Sequence, residues 1–220
     1  MEAGKGFDPY EIIGIIVPGT VIALLLASEA PPFRSMLGSE GLSVGDFGLF
    51  VLVAFVFGHL VQAFGNLIEL AVWPRCGLPT NIVLLEEQSL ISSAQHATLQ
   101  SKVTAMEGEG LTVIGLDRRI WRAICTRAYA RVRTAGRSMR IDISNRTYGL
   151  CRGLVAAFTI VLLWCAYAHR DQPALLVVLG LMIAAAILRM RRSGLHYARA
   201  LFLEFIDLDQ CHTAPISSTN

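Results

Sequence analysis

Four stretches of this chain, residues 12–28, 47–68, 153–169 and 172–188, contain no Asp, Glu, Lys or Arg. No other feature narrows the possible folds as far, because a helix needs roughly 20 residues, with about 17 as the lower limit, to cross a bilayer core. The second stretch is comfortable and the other three sit at that limit. Taken singly, each also suits a helix buried in a soluble core. Four together, with charges at nearly every edge, are hard to reproduce in a soluble bundle, whose amphipathic helices interrupt apolar runs with polar residues. A hydrophobic fraction of 54% and a mean hydropathy of +0.53 agree. The expected fold class is all-α: a multi-pass integral membrane bundle with four transmembrane helices and cytoplasmic helical extensions.

Charge sets the expected topology. Of the 19 Lys and Arg, one precedes the first stretch (Lys5), one lies between the first and second (Arg34), twelve lie between Arg75 and Arg152, one is Arg170, and four follow the fourth stretch. The positive-inside rule then places the central segment and both termini in the cytoplasm, in a bacterial inner membrane. The first apolar run holds Pro18 and Gly19 and lacks a small-residue cleavage site after it, so it reads as a retained span, not a signal peptide. Asp8 as cap, Pro9 at the first helical position and Glu11 two residues on form a helix-start signal. Pro18 frees a backbone carbonyl in that helix, which Thr20 or a neighbouring helix must satisfy.

The expected organisation is 1–73 for transmembrane helices 1 and 2, 74–137 for a cytoplasmic helical segment, 138–209 for a long helical hairpin with transmembrane helices 3 and 4, and 210–220 for a flexible tail. Within the segment, Pro79 and Thr80 read as a turn and residues 92–106 as a helix. Glu107, Gly108, Glu109 and Gly110 read as a loop, and Asp117 as the cap of a helix ending near Gly136.

Two constellations stand out. In the second apolar run, His59, Gln62, Asn66 and Glu69 fall at i, i+3, i+7 and i+10, which at about 100° per residue confines them to one face. Polar and ionisable groups at such depth usually face a bundle interior or water, so the stripe reads either as pore lining or as hydrogen-bonded packing between helices, with Glu69 pairing with Arg75. Gly58 and Gly65 lie beside it and would admit another helix closely. A pore requires several copies of this span around an axis.

The second constellation is a run of ten arginines between Arg118 and Arg152 with no lysine and one acid, Asp142. In a continuous helix Arg119, Arg122, Arg133, Arg137 and Arg140 would share a face, Gly136 permitting. Together with Arg118 they are the candidate site for an anion or nucleic acid, since the planar guanidinium binds phosphate oxygens bidentately and stacks on bases. Contact with lipid headgroups, and pairing between subunits with Glu86, Glu87, Glu204 or Asp207, are the competing readings.

Enzyme signatures are absent: there is no Walker loop, no G-x-S-x-G, no H-E-x-x-H and no local acid-base pair of carboxylates. His96 and the Cys211–His212 dipeptide are isolated. The five cysteines lack metal-ligand spacing, so no cofactor and no metal are expected.

The stretches Phe7-Asp8-Pro9-Tyr10-Glu11, Gly58-His59-Leu60-Val61-Gln62 with Gly65-Asn66, and Ile141-Asp142-Ile143-Ser144-Asn145 through Tyr148-Gly149-Leu150 and Arg152-Gly153-Leu154 resemble those of small bacterial membrane proteins. The four-span plan with a basic cytoplasmic insert is similar to the transmembrane effectors of nucleotide-signalled anti-phage defence, among them the Hailong-type channel gated by a single-stranded DNA oligomer. The shared motifs are short. The resemblance implies an oligomeric ion channel whose cytoplasmic face binds a DNA oligonucleotide made by a partner nucleotidyltransferase, and it assigns no residue to the DNA site.

The functional expectation is a homo-oligomeric channel lined by His59, Gln62, Asn66 and Glu69 and regulated through the arginines. The alternative is a non-conducting membrane anchor or scaffold for a cytoplasmic partner. A small transporter is disfavoured because no inverted repeat shows in the hydropathy.

Overall fold

The computed structural model describes residues 9–31, 44–87, 89–108 and 110–208. Lys5, Asp8 with its expected capping role, Arg34, Glu109, and the tail with Cys211 and His212 lie outside these residues. The described chain forms α1 (Pro9–Glu29), α2 (Val44–Val72), a 3-10 segment (Pro79–Leu84), α3 (Ser93–Glu107), α4 (Arg118–Thr134), α5 (Met139–Ala168) and α6 (Pro173–Ile206), with no strand among the described residues. Helices α1, α2, α5 and α6 are each long and apolar enough to cross a membrane. Two compact units result: Met1–Pro74 with Arg146–Arg192, and Arg75–Asn145 with Ser193–Asn220.

In the first unit small residues decide how closely helices meet. A Cβ at Gly19 would stand 1.7 Å from the Ala54 carbonyl oxygen, and one at Gly58 2.2 Å from that of Ile15. Only glycine lets α1 and α2 approach backbone to backbone there. Ile22, Val61, Ala156 and Ala157 pack into one apolar cluster, and Tyr148, Cys151, Val155 and Met190 into another. The remaining faces carry large apolar side chains outward, with Leu52, Leu60, Leu67 and Leu70 of α2 and Val177, Leu181 and Leu188 of α6 each more than half exposed. Exposed apolar surface of this kind marks a contact with lipid or with another protein.

The second unit is built around α4, whose Trp121, Ile124, Ala128 and Val132 recur at helical spacing and are buried against Leu99, Val103, Val113, Leu201 and Phe202. The Trp121 indole N–H donates to the Thr80 carbonyl at 2.9 Å and its ring lies 5.6 Å from that of Phe202. Pro79 and Thr80, expected as a simple turn, open the 3-10 segment that delivers this carbonyl.

Caps fix the helix starts. Ser92 and Gln95 form a reciprocal capping box for α3, and Asp117 accepts from the backbone N–H groups of Arg119 and Ile120 for α4. Gln100 holds the following loop, donating to the Leu111 carbonyl and accepting from the Val113 N–H. Gly136, at φ +74°, takes the left-handed conformation that separates α4 from α5. The helix is therefore not continuous from residue 118 to 140.

Candidate functional site

The polar stripe of α2 divides along its length. Gln62 and Glu69 turn inward, while His59 and Asn66 are exposed. The division follows from geometry: Ala54, Gly58, Val61, Gly65 and Glu69 form the face of α2 buried in the unit, and at about 100° per residue Gln62 sits at its edge while His59 and Asn66 lie beyond it.

Gln62 resolves the defect created by Pro18. Lacking an N–H, Pro18 leaves the carbonyl of Gly14, four residues earlier, without its helical donor. The Gln62 side-chain amide donates to that carbonyl at 2.9 Å, so a neighbouring helix and not Thr20 supplies the missing hydrogen bond. The same amide nitrogen lies 3.3 Å from the Gly149 carbonyl of α5. Its oxygen accepts from Arg152 Nη2 at 3.3 Å.

Arg152 continues the network. Its Nη1 donates to Glu69 Oε2 at 3.2 Å, and the other Glu69 oxygen accepts from the Tyr148 hydroxyl, which in turn accepts from the Trp73 indole N–H at 3.1 Å. Glu69 thus pairs with Arg152 and not with Arg75, because α5 brings its guanidinium against the buried face of α2 at Gly65, where a Cβ would be 3.1 Å from Arg152 Cγ. Arg152 Nε is buried without a hydrogen-bond partner. Beyond the network, the Arg191 guanidinium sits 5.6 Å over the Trp73 ring.

His59 and Asn66 have no such partners. The Phe55 ring meets His59 edge-on at 4.6 Å, and among the described residues the rest of the chain offers neither side chain a hydrogen bond. An amide and an imidazole therefore stand on an otherwise apolar helix surface.

The arginines sort equally plainly. Helix α4 carries Arg118, Arg119, Arg122, Arg127, Arg131 and Arg133 and no acid. Arg119, Arg122 and Arg133 lie on the side away from the Trp121 face and are exposed. Arg118 donates to the Arg75 carbonyl at 2.7 Å, and Arg127 pairs with Glu107 at 2.5 Å. Arg137, beyond the Gly136 break, pairs with Glu204 at 2.8 Å and reaches the Asp207 carbonyl at 3.2 Å, so its charge ties α6 to the unit. Arg140 belongs to α5. The face that a continuous helix would have made is reduced to Arg119, Arg122 and Arg133, flanked by Arg118.

Arg118 and Arg119 occupy the first turn of α4, where the helix dipole is positive and a cation is locally unfavourable by about 0.3–1 kcal/mol each. Asp117 offsets part of this.

Among the described residues no cluster of His, Cys, Asp or Glu is arranged to hold a metal ion. Cys76, Cys125, Cys151 and Cys165 are free thiols. Burial pushes the Cys125 thiol up to about 12, with a hydrogen bond to Thr80 opposing part of the rise. Its side chain packs against the apolar core of the second unit. His96 approaches the Val83 carbonyl at 3.3 Å.

Sequence reasoning missed Arg152, Tyr148 and Trp73 as members of the polar network. The pointer available was an acid at one end of the second apolar run and an arginine at the matching end of the third, since two opposite charges at the same depth seek each other. Compared with protein-family models, with curated proteins and with solved structures, the chain gives no match.

Proposed function

We propose that the chain is a four-span protein of a bacterial inner membrane with both termini cytoplasmic. In this reading it assembles as a homo-oligomer and conducts ions along a path bordered by copies of α2, under the control of an anionic oligonucleotide bound at α4. The observation that carries this reading is the outward pair His59 and Asn66. Hydrocarbon offers these groups no hydrogen bonds, and leaving a polar group unsatisfied there costs several kcal/mol, so an oligomer axis or water must meet them.

The membrane placement draws support from aromatic residues at both ends of the spans. Trp164 and Tyr167 are exposed near the end of α5, with ring centroids 6.3 Å apart, while Trp73 under Arg191 stands at the opposite end. Gln62 and Glu69 are held by Arg152 and belong to the joint between α1, α2 and α5. The path is bordered by His59 and Asn66 alone of the four.

The regulator reading rests on Arg119, Arg122 and Arg133, three exposed guanidiniums on one face with no acid on their helix. The partner is an anion with repeated phosphates, such as a single-stranded DNA oligomer made by a nucleotidyltransferase, acting in anti-phage defence. Fluorescent single-stranded DNA binding to detergent-purified protein, measured across a salt series, tests this. Saturable binding that weakens with salt, and again on Arg122→Gln, is expected; no binding at low salt removes the regulator.

A non-conducting scaffold remains as a second reading. It is favoured by the capture of Gln62 and Glu69 inside the protomer, which removes half the polar stripe from any path.

A further inference from the structure

We infer that the outward face of α2 is a self-association seam that takes the same face of further copies of this chain, parallel and in register, with Asn66 meeting Asn66 and His59 meeting His59. The inference deepens the proposed function and rests on its reading of α2 as a membrane span. It requires neither conduction nor a ligand.

The exposed side of α2 is ordered. Leu52, Val56, His59, Ala63, Asn66 and Leu70 are spaced alternately four and three residues apart, and all six are exposed. This is a 3.5-residue repeat, the period of a left-handed helix seam. It lies opposite the line of Ala54, Gly58, Val61, Gly65 and Glu69 buried in the unit, so α2 can serve both contacts at once. His59 and Asn66 stand one heptad apart and share a position in the repeat, with the small Ala63 between them.

The chemistry selects the occupant. An Asn amide carries both a donor and an acceptor and is self-complementary across a symmetry axis, and Asn and His are residues that hydrogen-bond between membrane helices. Parallel copies in register bring each polar group opposite its equivalent. A shift of one turn would place Asn66 opposite a leucine or alanine and leave it unsatisfied, so the pair also sets the register. Lipid provides packing but no hydrogen bond. In a bundle around an axis these two positions form touching rings, the narrowest part of the path.

Cysteine cross-linking in native membranes tests the seam. Val56→Cys, His59→Cys, Ala63→Cys, Asn66→Cys and Leu70→Cys lie on it, while Leu60→Cys and Ala71→Cys are exposed on its flank. With the unaltered chain as background, seam positions should give several-fold more intermolecular disulfide than flank positions. In a parallel measurement, Asn66→Leu should weaken self-association in vesicles roughly ten-fold while Asn66→Gln retains it. Equal yields on seam and flank, or none on the seam in membranes that contain the protein, would overturn the inference. Cross-links without ion flux in vesicles would remove the channel and leave the seam. Flux together with cross-links confined to another helix would remove the seam and leave the channel.

Discussion

Replacing Glu69 by leucine should destabilise the first unit by about 3 kcal/mol, and most of that loss should come from what it does to Arg152. In the native chain Glu69 accepts from Arg152 at 3.2 Å and from the Tyr148 hydroxyl. After Glu69→Leu the guanidinium keeps only Gln62 at 3.3 Å, and its Nε is already without a partner. Stranding one member of a buried ion pair costs about 3–5 kcal/mol. The Arg152 side chain retains 23% of its exposure against 9% for Glu69, which puts the cost at the low end. Arg152→Leu should cost a similar amount, because Glu69 then keeps only Tyr148.

The double variant removes both charges, so its cost should fall below that of either single change, to about 1–2 kcal/mol, because no charge is stranded and only Tyr148 and Gln62 lose a hydrogen-bond partner. Reversible unfolding of the purified protein in mixed micelles, run as a double-mutant cycle, measures this. Additivity within about 0.5 kcal/mol, or a near-neutral effect of either single change, would show that Glu69 and Arg152 are not a coupled buried pair.

Four further outcomes are expected. Gly19→Leu should prevent α1 from docking on α2, since even a Cβ would lie 1.7 Å from a carbonyl oxygen; loss of folded protein on size-exclusion chromatography checks it. Trp121→Ala should cost about 3–5 kcal/mol, and Trp121→Phe about 1–3 kcal/mol through the orphaned Thr80 carbonyl, both read by thermal unfolding. Raising the Cys125 pKa from 9.0 to about 12 favours the folded state only while the thiol is neutral in both states. That contribution is therefore complete below pH 9.0 and declines as pH rises toward 12, and Cys125→Ala should flatten this part of the stability profile against the unaltered chain. Finally, Arg122→Gln and Arg133→Gln should each reduce the salt slope of oligonucleotide binding by about 1, whereas Arg137→Gln should lower thermal stability through loss of the Glu204 pair.

Local chemistry made much of the fold readable. Charge-free runs marked the four long apolar helices, Asp117 capped α4 where expected, and Gly136 separated α4 from α5. The site was readable only in part, because periodicity says which residues share a helix face but not which edge of that face meets a neighbour. The stripe from His59 to Glu69 divided because Arg152, 83 residues beyond Glu69 in sequence, packs along one edge. The same limit applied to the arginines: Arg137 looks identical to Arg122 in a charge count, yet Glu204 holds it from 67 residues away (204 − 137). Gln62 is the instructive middle case. Pro18 announced an orphan carbonyl, and only the packing of α1 on α2 revealed the donor.

Ion flux into vesicles carrying the purified 220-residue chain decides whether the protein conducts, with the unaltered protein, Asn66→Leu and Glu69→Gln compared at equal protein per lipid. Flux from the unaltered protein is expected, with reduced flux or altered ion preference for Asn66→Leu and unchanged ion preference for Glu69→Gln. Vesicles that hold the inserted, oligomeric protein yet show no flux in the presence or absence of single-stranded DNA would rule out the channel.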